Sequence, residues 1–217
     1  MTVAPTASRT PQQPGRTPQQ QPGRTPQQQR SRATRARLLE ATVECLVDHG
    51  WSGTTTTVVA ARAGVSRGAQ LHHYPTKAAL VTAAVQHLAE RRADEIRAEA
   101  AALPVGARLD RVVDMLAAAF TSPLFAAALE VWVAARTDGD LREALVPLEA
   151  RVGREMHRLT VELLEVNERE PDVREAIQAT LDLLRGLGVA NLLSDDTARR
   201  TALLAVWKRH LTTIITR

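Results

Sequence analysis

Cysteine is nearly absent: Cys45 is the only one in 217 residues. That excludes an intrachain disulfide framework and a multi-cysteine metal site, and a reducing compartment suits the chain best. Aromatic residues are also scarce, at 3% against a hydrophobic total of 44%. Burial must therefore come from Leu, Val and Ala, a composition that favours helices over strands. No apolar stretch near the start could serve as the core of a signal peptide. Further along, every apolar run is broken by charge or polarity well short of membrane-spanning length, so the expected location is the cytoplasm.

Acidic residues are missing from one end. Ahead of Glu40 the chain carries Arg9, Arg16, Arg24, Arg30, Arg32, Arg35 and Arg37 and no carboxylate, although the whole has 28 basic and 24 acidic residues. A basic end on a mildly acidic body points to a polyanion at that end, or simply to a solvated tail. Residues 1–31 hold a small repeat, Arg9–Gly15, Arg16–Gly23 and Arg24–Gln29, rich in Pro and Gln. It lacks the apolar content needed to offset the entropy of ordering and reads as a disordered arm.

Order is expected from near Ser31. Leu39, Val43, Leu46 and Val47 recur at helical spacing and Gly50 follows as a stop. Thr55 is the best N-cap for a short second helix closing at Ala63-Gly64, and Ser66 can cap a third that ends before Pro75. A long fourth helix spans about 76–102. Helices are then expected at about 105–121, 123–137, 140–166, 171–192 and 195–215, with Pro147 kinking or restarting the one it sits in. No segment alternates with period two. The expected fold is all-α, of about nine helices: a three-helix N-terminal unit at 32–77 and a helical bundle at 78–217.

Gly50 to Lys77 is the informative stretch. Two short helices meet at Ala63-Gly64-Val65, where Gly64 permits a positive φ and Ala60 and Ala63 are small enough for close approach. This is helix-turn-helix geometry, in which the second helix enters the major groove of DNA. Across about 50 residues the pattern resembles the TetR family of regulators: Gly50-Trp51, Thr54-Thr55, Val59-Ala60, Ala63-Gly64-Val65-Ser66, Gly68, His73-Tyr74 and Lys77. One departure stands out, since Gln70-Leu71 replaces the usual Leu-Tyr. Counted from a Ser66 cap, position 70 belongs to a hydrophobic staple with Val65. Either Leu71 takes over that packing or Gln70 turns towards the groove.

The resemblance implies a DNA-binding set of Thr55, Ser66, Arg67, Gly68, Ala69, Gln70, Leu71, His72, His73 and Lys77. Arg67 suits guanine bidentately and Leu71 a thymine methyl. Gly68 and Ala69 allow close approach, while Thr55, His73 and Lys77 suit phosphates, and His72 suits either. Thr55 and Ser66 also serve as caps, and Tyr74 is expected to pack on the first helix. Adjacent histidines diverge on a helix, so His72 and His73 are not read as a metal site.

By the same resemblance, the bundle encloses a ligand pocket and the last two helices form a dimer interface. Pocket candidates are Met115, Phe120, Phe125, Leu129, Trp132, Met156 and His157, each equally at home as ordinary core. Ile177, Leu181, Leu184, Gly188, Leu204, Trp207 and Leu211 are the interface candidates, with the alternative that these faces fill the monomer. The expected partners are thus duplex DNA as a quasi-palindromic operator, a second copy, and a small apolar effector that releases the DNA; repression is the expected effect. No cofactor is expected. Against an enzyme, there is no G-x-S-x-G, H-E-x-x-H, P-loop or strand-linked G-x-G-x-x-G. A sequence-tolerant architectural DNA-binding protein is the nearer rival.

Overall fold

A computed structural model describes residues 26–104 and 108–215, which form nine helices and no strand. They are α1 (Pro26–Gly53), α2 (Thr56–Arg62), α3 (Arg67–His73), α4 (Lys77–Ala101), α5 (Arg108–Phe120), α6 (Pro123–Ala135), α7 (Gly139–Leu164), α8 (Pro171–Ala190) and α9 (Thr197–Ile215). No single helix among the described residues is long and apolar enough to cross a membrane. The expected arm lies, for residues 1–25, outside the described residues. Helix begins at Pro26 rather than near Ser31. Pro is pre-set for a first helical position, and Gln and Arg propagate helix well.

Local chemistry sets the helix ends. Thr55, Ser66, Thr76, Ser122 and Asp138 each accept a hydrogen bond from the amide three residues on, satisfying donors that a helix start leaves open. Gly50 breaks α1 with φ 62° and ψ −174°. The redirected chain is held by Thr54, whose amide and hydroxyl both donate to the Gly50 carbonyl, at 3.2 and 2.8 Å. α7 runs on through Pro147 without restarting. Pro147 and Glu143, whose carbonyl loses its helical partner, both face solvent, where water can replace the missing bond.

Two cores divide the molecule. The first joins Leu38, Leu46, Val59, Tyr74, Leu80 and Val81 of the N-terminal helices to Ala127 and Val131 of α6 and to Leu141 and Leu148 of α7. The second gathers Ile96, Val112, Leu116, Phe120, Leu159 and Ile177 with their neighbours on α8 and α9. α4 contributes to both and so runs from one core to the other. Cys45 is fully buried in the first.

Six of the seven dimer-interface candidates are buried inside the monomer, and Trp207 is half-buried. Ile177, Leu181, Leu184, Leu204 and Leu211 are buried in the monomer core, Gly188 lies against the α5–α6 corner, and the Trp207 indole N–H donates to Thr180 Oγ1 at 2.9 Å. The strongest apolar stripe of an amphipathic helix faces its own core first. The apolar residues left outside on this side are Val189, Leu192, Leu193, Leu203 and Val206, of which Leu193 is 99% exposed.

Candidate nucleic-acid interface

α2 and α3 are joined by a tight reversal. The Val65 amide donates to the Ala60 carbonyl at 3.0 Å and the Gly64 amide to Ala61 at 3.1 Å, with Gly64 left-handed at φ 62°. This nested pair ends a helix by satisfying its last carbonyls, and it needs a residue free of the Cβ penalty at the reversing position. Arg62 Nη1 pairs with Asp48 Oδ2 at 2.6 Å and ties α2 back to α1.

On α3 the sides separate cleanly. Arg67, Gly68, Leu71 and His72 are exposed, Ala69 is half-buried, and Ser66, though capping, is also at the surface. A Cβ on Gly68 would meet nothing within 4 Å, so nothing in the monomer requires a glycine there. Thr55 is likewise exposed while capping α2. His73 is partly buried, and that burial, with Arg35 and His72 nearby, holds its pKa below the ordinary value. Its imidazole can donate one hydrogen bond as a neutral ring.

Two residues of the expected set turn inward. Gln70 is completely buried; its Nε2 donates to the Tyr74 carbonyl at 2.7 Å, and Oε1 has no partner. Of the two alternatives at this position, Leu71 does not take over the packing either, being 42% exposed. Lys77 is directed onto Trp51: Nζ stands 3.7 Å from the ring centroid and donates to the Trp51 carbonyl. Partial burial depresses its pKa, offset in part by Asp138. Inward placement follows from geometry, because position 70 faces the first core and Lys77 opens α4 directly beneath Trp51. Tyr74 packs on the core as expected.

In the bundle, α4, the α5–α6 corner, α7 and α8 line a half-open cavity of about 130 Å³. Of the pocket candidates, Phe120, Phe125, Trp132 and Met156 line it. Met115 is buried core and Leu129 packs against that core, while His157 pairs with Glu168 at 2.9 Å; none of these three lines it. The aromatic walls meet edge to face, Phe120–Phe125 at 5.3 Å and Phe125–Trp132 at 6.1 Å. Sequence reading missed the polar lining, Arg92, Glu149 and Arg185. The Arg185 guanidinium lies 6.0 Å from the Phe120 ring and 5.9 Å from Trp132.

Burial raises the Glu149 pKa by more than the nearby Trp132 N–H and Arg185 lower it. The Trp132 N–H makes no hydrogen bond of good geometry and acts on Glu149 only as a nearby positive edge. The fold thus holds the Glu149 proton more tightly than the unfolded chain does. Its stabilising effect is complete at low pH and is lost as pH rises from about 4.3 through the raised value. Glu149→Gln should therefore gain stability relative to wild type as pH rises, read as thermal midpoints at pH 4.5 and pH 7. A difference that does not grow between those two would remove this burial effect.

Comparison with known proteins agrees with this geometry. The family model described as "Bacterial regulatory proteins, tetR family" matches residues 38–84. The HTH-type transcriptional regulator CymR of Pseudomonas putida is 31% identical over 173 residues, 76% of this chain and 83% of that protein. BetI of Escherichia coli, also an HTH-type transcriptional regulator, is 29% identical over 101 residues, 46% of this chain and 52% of BetI. Among solved structures, a protein described as a transcriptional regulator from Pseudomonas aeruginosa PAO1 superposes with a TM-score of 0.63 at 29% identity, covering 87% of this chain and 92% of that one. A TetR transcriptional regulator from Rhodococcus sp. RHA1 shares the fold, with a TM-score of 0.60 at 18% identity over 86% of this chain and 97% of that chain.

Proposed function

Given that the chain belongs to the tetR family of bacterial regulatory proteins, and so regulates transcription through a helix-turn-helix rather than catalysing a reaction, we propose that it works as a two-fold dimer. In this reading it represses from a quasi-palindromic operator and leaves it when a small apolar molecule binds. The outward side of α3 carries the proposal: Arg67, Gly68, Leu71 and His72 are exposed together on a helix braced from behind by its caps and by buried Gln70. Arg67 reads a guanine edge and Leu71 a thymine methyl, and His72 joins them at a base or a phosphate. Gly68 and Ala69 let the helix approach, while Ser66, Thr55 and His73 hold phosphates. Lys77 acts from inside by fixing Trp51 against the start of α4.

Dimerisation is supported by the apolar residues left exposed on α8 and α9, Val189, Leu203 and Val206. Residues 32–77 then form the reading head and 78–217 the effector and pairing part. For release, the cavity supplies both place and coupling. At about 130 Å³ it is below the ~300 Å³ at which ligand pockets usually begin, and in this reading an effector widens it by parting the walls. One wall is α4, through Val85, Ala89 and Arg92, and α4 follows directly on the reading head. A ligand that binds only the parted state shifts the equilibrium towards it.

Selection of bound duplexes from a random pool tests the whole reading. The expected result is a single inverted-repeat consensus with half-sites about one helical turn apart or a multiple of it. A pool that returns no consensus, with equal affinity for unselected duplex, would establish the architectural alternative instead.

A further inference from the structure

The first three turns of α1 have no evident role in folding. None of residues 26–37 is buried, and the buried face of α1 starts only at Leu38. A helix gains most of its stability by packing an apolar face, and this stretch partly covers only Ser31, Thr34 and Ala36. Its charges also oppose it: Arg30, Arg32, Arg35 and Arg37 are exposed, with no carboxylate earlier than Glu40 to offset them. Among the described residues none of the four guanidiniums has an ion pair or hydrogen bond, whereas Arg62, Arg91, Arg92, Arg97 and Arg108 all hold carboxylates. Glu40 itself is held by Arg91 at 2.9 Å.

Position gives these charges a direction. Arg37 Nη1 is 3.9 Å from the point where a Cβ on Gly64 would stand, just ahead of the α3 cap. Arg35 lies at the other end of α3, close enough to act on His73 and Tyr74. The start of α1 thus places one guanidinium near each end of α3. A seven-residue helix is about 10 Å long and the major groove about 12 Å wide, so charges at its two ends fall near the flanking phosphate strands. Arg30 shares a helix face with Arg37, seven residues away, and lies about 10 Å further out along α1.

We propose that residues 26–37 are a second DNA-contacting element, a rigid basic helix whose Arg30, Arg32, Arg35 and Arg37 neutralise backbone phosphates beside the half-site read by α3. This rests on α3 being the reading helix. It adds affinity without sequence information, because phosphates position and base edges specify.

The test uses the full chain and fluorescence anisotropy on a random-sequence 40-base-pair duplex and on a selected operator, between 50 and 200 mM salt. The variant Arg30→Gln/Arg32→Gln/Arg35→Gln/Arg37→Gln should bind both duplexes at least tenfold more weakly at 50 mM. Its slope of log affinity against log salt should flatten by roughly four to seven, since the dimer carries two copies of the four arginines and each phosphate no longer neutralised takes away about 0.9. Arg30→Gln/Arg32→Gln, furthest from the core, should show about half of this with an unchanged thermal midpoint. Ala33→Pro, which keeps every charge but breaks the helix, should flatten the slope as the fourfold variant does. Wild-type slopes in the charge variants would overturn the proposal. A wild-type slope in Ala33→Pro would overturn the rigid helix and leave a charged tail. Failure of the α3 reading shows separately, as unchanged base preference in Arg67→Ala, whatever the slopes.

Discussion

Gly188→Ala should lower the thermal midpoint by roughly 6–12 °C. The added methyl would stand 2.2 Å from the Phe120 carbonyl oxygen and 2.7 Å from Phe125 Cε1. The first of these is backbone, at the corner where α5 gives way to α6, and it cannot step aside as a flexible side chain would. Overpacking of a close-packed interior costs typically 1–3 kcal/mol, occasionally more, and an approach this short against backbone belongs at or above the upper end. In a chain of this size each kcal/mol moves the midpoint by about 2–4 °C. Two residues away the sign reverses. Gly186 is exposed and a methyl there meets nothing within 4 Å, so Gly186→Ala should stabilise by up to about 1 kcal/mol through helix propensity alone. Calorimetry on the two variants side by side checks the argument: equal midpoints would mean that α8 slides on the α5–α6 corner at little cost.

Arg67→Ala carries the largest expected effect on binding. A bidentate pair to a base contributes about 1–3 kcal/mol of discrimination, and a two-fold dimer loses it in both half-sites. Operator affinity should fall thirtyfold or more, with the loss concentrated at one symmetric pair of base positions. A panel of single base-pair substitutions reads this directly: wild type should discriminate at that pair and Arg67→Ala should not. Uniform weakening across the panel would move Arg67 to the phosphates and leave base reading to Leu71 and His72.

What sequence alone revealed was chiefly local. Thr55 and Ser66 as caps, and Gly64 as the reversing residue, depend on a few neighbouring atoms, and the chemistry of a cap or turn is written in the residues that make it. Partnership is not local. The periodicity of Ile177, Leu181, Leu184 and Gly188 establishes an apolar face, but whether it meets a second copy or α5 depends on packing that no spacing records. Gln70 illustrates the same limit, since its polarity suggested the groove while its position on α3 placed it over the core. Arg92, Glu149 and Arg185 went unnoticed in the cavity because charged residues on long helices ordinarily read as solvent-facing. Only the convergence of three helices brings them together.

The sharing of the first core between α1–α4 and α6 bears on how this protein can be recombined. Glu130 of α6 accepts the Trp51 amide at 3.3 Å, and Ala127 and Val131 of the same helix are fully buried among residues of the head. A graft that keeps residues up to the start of α4 and imports a foreign sensing part would cut through a close-packed interior, where mismatched volumes are poorly tolerated. Chimeras of this chain will need to carry the α6 face along with the reading head. In the proposed reading, specificity for DNA and specificity for a ligand are thus inherited with a common set of buried side chains, not as two interchangeable cassettes.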